Sequence, residues 1–218
     1  MRSVALVLAV LGALAHAAHA QPSDLDALVA HAPTCDAERA RCLPLALHVT
    51  VTDTGPIATA DWLAAQVAAA NRHFERLGVG FQIESIAALP ASAARVEDRE
   101  ERDSFAGGAT GRVIHVFVTG HLDDIDTAGK MAYGVTWRRG TRKYIILSTQ
   151  AWERTLAHEL GHVFGLPHST YAISIMNKTD RTDPPVEQRT FHDDEYAIMK
   201  QRLAALVRAR TIVPVKPR

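Results

Sequence analysis

Net charge is absent from this chain: 24 basic side chains stand against 24 acidic ones. Without an excess of either sign there is no electrostatic footprint for nucleic acid or for an anionic membrane surface. Beyond the first twenty residues there is no apolar run long enough to cross a bilayer, so a membrane span is not expected. Internal repeats and low-complexity tracts are also missing, apart from mild alanine enrichment, which excludes solenoid and linker-dominated architectures. Cysteine is nearly absent, with Cys35 and Cys42 the only two.

The first residues fix the compartment. "MRSVALVLAVLGALAHAAHA", residues 1–20, carries Arg2, an apolar run from Val4 to Leu14 and a small-residue site at Ala18-His19-Ala20. This is the pattern of a secretory signal cleaved before Gln21, and it is too short for a membrane anchor. About 198 of the 218 residues then remain, with 23 basic against 24 acidic side chains once Arg2 is gone. That length suits one domain with a core of normal size, and 47% apolar and 22% charged residues are ordinary for it. The expected product is a released, soluble monomer, secreted or periplasmic. In that setting the close pair Cys35 and Cys42, separated by "DAERAR", most simply closes a small disulfide loop. A competing reading, in which one thiolate caps a metal in a latent form, has nothing around either cysteine to require it.

The remaining chain divides into a signal (residues 1–20), an N-terminal segment (21–44) and one domain (45–218) of alternating strands and helices. "LALHVTVT" (45–52) alternates as a strand does, and "TADWLAAQVAAANRHFERLG" follows with helical spacing, Thr59 or Asp61 as its cap and Gly78 as its end. "VGFQIESI" (79–86), "RVIHVFVTG", "MAYGVTW" (131–137) and "KYIILST" (143–149) read as further strands, the apolar ones central and doubly covered. Residues 90–112, charged and then Gly-rich, read as an exposed loop. A helix is expected to start near Ser148 or Thr149, with Glu153 in its first turn. The last helix, "FHDDEYAIMKQRLAALVRA", is expected to be capped by Thr190 and Asp193. The order is that of an α/β fold around one mixed sheet.

The helix after the fifth strand contains "HELGHVFGLPH", residues 158–168. His158 and His162 are four apart, so both imidazoles lie on one helical face, one turn apart. Each can reach a common zinc at about 2.0–2.1 Å. Glu159 is rotated about 100° away and is free to hold a water rather than the metal. Gly161 either gives room beside the metal or is a small packing residue. Gly165 can take the left-handed conformation that ends the helix, and Pro167 stops its resumption while His168 returns as third ligand. Three nitrogens and one open position are what a catalytic zinc site needs. A lone histidine is more often structural, but the five specified residues together should arise by chance in roughly one random chain of this length in a hundred thousand.

"HELGHVFGLPH" resembles the zinc-binding signature of the metzincin metallopeptidases. "AISIMNK" is similar to the methionine-bearing turn that underlies the zinc in that family, with Met176 eight residues after His168. That spacing, and Ser169 directly after the third histidine, most resemble the matrixin branch. The resemblance covers roughly residues 45–209, but only the zinc helix and the Met turn are specific. It implies a mixed, mostly parallel five-stranded sheet, an upper-rim edge strand at residues 131–137 that pairs antiparallel with an extended substrate, and a pocket wall from residues 177–190. Which residues bind the substrate side chains is not legible. Lys178 stands where some metzincins have a zinc-sphere tyrosine, so no extra ligand is expected, and no cysteine-switch propeptide or matrixin structural-metal segment is recognisable. "HLDDIDTAG" clusters His121, Asp123, Asp124, Asp126 and Gly129 and could hold calcium, but it lacks the ligand spacing of a known loop, which favours a solvated acidic turn. His48, His73 and His115 have no motif partners and read as packed or surface residues.

The function implied is a secreted zinc-dependent endopeptidase acting on protein or peptide substrates, with one catalytic zinc on His158, His162 and His168 and Glu159 as general base. Two alternatives stay open: an exported zinc protein that binds peptides or partners without turnover, and a zinc hydrolase of non-peptide bonds.

Overall fold

The computed structural model describes residues 22–218, so the expected signal at residues 1–20 lies outside the described residues. The elements run α1 (Pro22–Val29), β1 (Arg41–Thr52), β2 (Gly55–Pro56), α2 (Ala60–Phe74), β3 (Val79–Leu89), β4 (Arg95–Val96), α3 (Arg99–Ser104), β5 (Ile114–Thr119), β6 (His121–Leu122), β7 (Gly134–Arg139), β8 (Arg142–Ser148), α4 (Thr155–Val163) and α5 (Asp193–Arg208). The main sheet has the order β3-β1-β5-β8-β7, with β2 a two-residue antiparallel addition to β1. Pairings β1–β3, β1–β5 and β5–β8 are parallel, and the rim pair β7–β8, like the short β2 addition, is antiparallel. This is the mixed, mostly parallel α/β sheet the sequence implies.

Strand alternation sends side chains to two cores. Val116 and Val118 of β5 face a large core with Leu45 and Leu47 of β1, Val67 and Phe74 of α2, Leu156 and Leu160 of α4, and Met199 and Leu203 of α5. Phe117 points the other way, into a smaller core with Tyr144, Ile146, Phe105, Ala106 and Ala109. Each large side chain buried this way contributes about 1.5–3 kcal/mol. The smaller core corrects the reading of residues 90–112 as an exposed loop. Asp98 caps α3 by accepting from the Glu101 amide at 2.9 Å, and the segment then drops Phe105 onto Phe117, ring centroids 4.8 Å apart. The charged run "REERD" masked an element whose buried apolar residues come only after it, Arg102 being the one buried residue within it.

Cys35 and Cys42 form a disulfide that ties the α1–β1 connection to the second residue of β1. β1 starts at Arg41, earlier than the alternation alone suggests, and pairs with β3 from that residue onward. Thr59 is the α2 cap, accepting from the Trp62 amide at 3.2 Å, and Gly78 ends the following turn at φ 65°.

The two helices that frame the site begin differently from expectation. α4 starts at Thr155, not near Ser148, and Arg154 at its N-cap offers no side-chain bond. Its amides are met from α2 instead. Buried Gln66 accepts from the Leu156 amide at 3.0 Å and donates to the Trp152 oxygen at 2.8 Å. Glu153 stays outside the helix, paired with Arg72 at 3.1 Å. α5 is capped by His192 with Glu195 in a reciprocal capping box, rather than by Thr190 and Asp193. Thr190 is used one step earlier, its main chain bonded to Ile173 and Ile175.

Candidate metal centre

α4 presents His158 and His162 on one face, and the left-handed Gly165 (φ 95°) turns the chain so that His168 comes back to them. The turn is closed by the Leu166 amide donating to the Gly161 oxygen at 3.0 Å. One nitrogen from each of the three imidazoles lies within 4.8 Å of the others, and His162 Nε2 is 3.3 Å from His168 Nε2. Two nitrogens at tetrahedral positions about 2.05 Å from a zinc are separated by about 3.3 Å. The donor set therefore fits that metal.

Protonation states agree with ligation. His158 Nδ1 donates to the Ile175 oxygen at 2.8 Å, and His162 Nδ1 donates to the Leu166 oxygen at 2.7 Å. Both bonds consume the Nδ1 proton and leave Nε2 with a free lone pair. Burial pulls His158 and His168 down to about 4 and lowers His162 as well, so all three are neutral near pH 7. The Lys178 ammonium adds to each shift. Its charge thus faces the site, although Lys178 takes no place among the three converging nitrogens.

Glu159 is 3% exposed. Burial pushes its carboxyl up to about 7, opposed by the Thr136 hydroxyl, which lies 2.8 Å from both Oε2 and the main-chain oxygen of Glu159. A carboxyl buried without a salt-bridge partner sits where its proton affinity suits proton transfer near neutrality.

Met176 lies fully buried beneath the helix, and a Cβ on Gly161 would meet its Sδ at 2.6 Å. Of the two roles open to Gly161, packing is the one observed. The Met turn is pinned from α5: Ser174 Oγ donates to Glu195 at 2.7–2.8 Å and accepts from the Met176 amide at 2.9 Å. Past the turn, Arg181 donates to the main-chain oxygens of Ala172, Ser174, Asn177 and Thr179, which shapes the start of the 177–190 loop.

The other singled-out residues go elsewhere. Asp123 is bonded to His121 at 2.5 Å and to Arg95 at 2.9 Å, and Asp126 to Arg99 at 3.2 Å, so neighbouring cations and an imidazole already occupy these carboxylates. His48 and His115 pair with each other at 3.0 Å, His48 stacked on Phe117. His73 lies 3.4 Å from the Thr190 hydroxyl. Thr136, Gln66, Ser174 and Glu195 were not legible as site residues, since no local motif marks them.

The family model described as Matrixin matches residues 96–201. This span runs from β4 through the three histidines and the Met turn into α5. The fold is similar to that of an archaemetzincin from Methanopyrus kandleri, with 19% identity, 76% of this chain and 98% of that one covered, and a TM-score of 0.50. It is also similar to metalloproteinase-II from Bacteroides fragilis, with 16% identity, 77% of this chain covered and a TM-score of 0.53. This chain spans about half of that second protein, 54% of its length. No curated protein sequence matches the chain. The span matched by the family model includes α4 and the turn beneath it, and over that span the chain is similar to the matrixins, with a fold like that of the two metallopeptidases.

Proposed function

We propose that the protein is an exported, zinc-dependent endopeptidase in which His158, His162 and His168 hold one zinc and Glu159 acts as general base. The observation that carries this reading is the meeting of three neutral imidazole nitrogens within 4.8 Å, on the same helix as the buried carboxyl of Glu159, which has no salt-bridge partner among the described residues. When bound there, zinc would acidify a water and polarise the scissile carbonyl. Glu159 takes the proton of the attacking water on Oε1 and returns it to the departing amine, while Oε2 stays held by the Thr136 hydroxyl. Among the described residues β7 has a partner strand on one side only, so every second residue offers its N–H and C=O to an extended peptide running antiparallel to it. Export is supported by the Cys35–Cys42 disulfide, a bond that persists in oxidising compartments, and by the apolar run in residues 4–14.

The test is cleavage of a denatured proteome by the zinc-loaded protein. A chelator should abolish it and added zinc restore it. Zinc-replete protein that leaves every peptide intact would favour the reading of a zinc protein that binds without turnover.

A further inference from the structure

The rim strand carries unlike chemistry at its two ends. At the C-terminal end, Arg138 is exposed and its Nε donates to the Gly140 oxygen at 3.0 Å, whereas neighbouring Arg139 is paired with Asp103 at 3.2 Å. Across the hairpin from Arg138 stands Lys143, whose Nζ donates to the His162 oxygen at 2.6 Å. Arg202 of α5 packs its side chain over Gly165, just past the end of α4. Burial lowers Lys143 from its ordinary range, with the Arg202 and Arg138 charges adding to that effect. Among the described residues, no carboxylate is bonded to any of the three, and they flank the His162 end of the metal helix as an unneutralised cationic cluster.

At the other end, Tyr133 and Trp152 are 42% and 65% exposed, with ring centroids 6.2 Å apart and planes at 73°. Tyr133 directly precedes β7, and the Trp152 oxygen accepts from the first amide of α4, Thr155, at 2.8 Å. A single exposed aromatic is ordinary, but two in edge-to-face contact beside a site form an apolar platform.

Glu159 lies between these ends. A Cβ on Gly134 would come within 3.1 Å of Glu159 Cγ, and Thr136 bonds the carboxyl itself. A peptide antiparallel to β7 runs from the Arg138 end toward the Tyr133 end. At about 3.4 Å per residue, the substrate residue facing Arg138 is about two positions N-terminal of the one facing Thr136, and the aromatic pair is about three positions to the other side. We propose that the free edge of β7 selects extended peptides carrying an acidic side chain N-terminal to the reacting bond and an aromatic or large aliphatic one C-terminal to it. This rests on the peptidase reading above.

The test uses four internally quenched peptides that cross Asp or Lys on the N-terminal side with Phe or Ser on the C-terminal side of the cleaved bond. kcat/KM is measured on the wild type, and binding of the same peptides to zinc-loaded Glu159→Gln, so that selectivity is read with and without turnover. The Asp/Phe peptide should be favoured about ten-fold or more over Lys/Ser, as charge-assisted contacts allow. Arg138→Glu should reverse the Asp-over-Lys preference and keep that for Phe; Trp152→Ala should erase the Phe preference and keep that for Asp. Both side chains are exposed, so neither change threatens the core. Equal handling of the four peptides, or an Asp preference that survives Arg138→Glu, overturns the inference. Selective binding without any cleavage by the wild type would refute the peptidase reading on which this inference rests, whereas cleavage of all four peptides at one rate overturns the inference alone.

Discussion

The Thr136 hydroxyl on the rim strand lies 2.8 Å from Glu159 Oε2 and 2.8 Å from the Glu159 main-chain oxygen. One proton cannot serve both acceptors at once. When the carboxyl is ionised, the hydroxyl can donate to Oε2; when it is protonated, the carboxyl can donate to the hydroxyl, which then turns to the main chain. Either way Glu159 is held in one rotamer against β7.

Thr136→Val should therefore loosen Glu159 without touching the metal. A hydrogen bond to a charged group contributes about 1.5–3 kcal/mol, so kcat should fall about ten-fold or more, with KM and zinc content near wild type. Thr136→Ser keeps the hydroxyl and should recover most of the loss. A valine variant as fast as its serine counterpart would show that the hydroxyl does not position Glu159.

Gly161 makes a prediction about packing. A Cβ there would stand 2.6 Å from Met176 Sδ and 3.1 Å from Phe191 Cε1, both buried side chains. Gly161→Ala gains helix propensity but overpacks this contact, and the second effect should dominate at about 1–3 kcal/mol of lost stability. Shortening the partner should relieve it, so in a Met176→Ala background Gly161→Ala should cost clearly less. Denaturant unfolding of the four proteins measures the coupling, and strictly additive values would rule out the contact.

What the sequence disclosed and what it hid divide by distance along the chain. The metal ligands all fall within residues 158–168, where helical spacing and Gly165 dictate their convergence, and Met176 follows closely enough to be recognised with them. The supports come from far away. Gln66 meets the Leu156 amide across 90 residues, and Thr136 meets Glu159 across 23. No local pattern announces a glutamine that caps another helix or a threonine that braces a glutamate. α3 was hidden for a different reason: its own residues are polar or charged, and the apolar burial that justifies it belongs to Phe105 and Ala106 beyond its end. β7 was expected at residues 131–137 but runs 134–139, because a two-residue hairpin with Gly140 at φ 59° sets its register against β8.

The pair of half-buried His48 and buried His115 makes stability depend on pH. Burial, and then the neighbouring His115, pulls His48 down to about 4, while an unfolded chain titrates it near its ordinary 6.5. Between those values the unfolded state binds more protons, so stability is highest above about 6.5 and declines as pH falls toward 4. His48→Gln removes this titration while keeping a donor toward His115 Nδ1. In denaturant unfolding at pH 7 and pH 5, with a chelator present throughout, the variant should lose less stability on acidification than the wild type. Equal losses would mean that His48 takes up its proton without cost in the folded state.

The remaining prediction separates a zinc that reacts from one that merely holds the fold. Both uses need the histidines: His168→Ala should lower zinc content and activity together, so it cannot distinguish them. Glu159 can. It follows His158 directly on α4, with its carboxyl buried, raised to about 7 and bonded to Thr136. Glu159→Gln preserves size and the contact with Thr136 but removes the group able to accept a proton. Zinc stoichiometry and melting temperature should stay near wild type while peptide hydrolysis drops about a hundred-fold or more, the usual scale for a positioned general base. Because the wild-type carboxyl must be desolvated in folding and the amide carries no charge, the variant could even melt slightly higher. A Glu159→Gln protein that cleaves at nearly the wild-type rate would exclude Glu159 as the base. One that loses its zinc would assign the carboxyl to the scaffold of the metal centre instead.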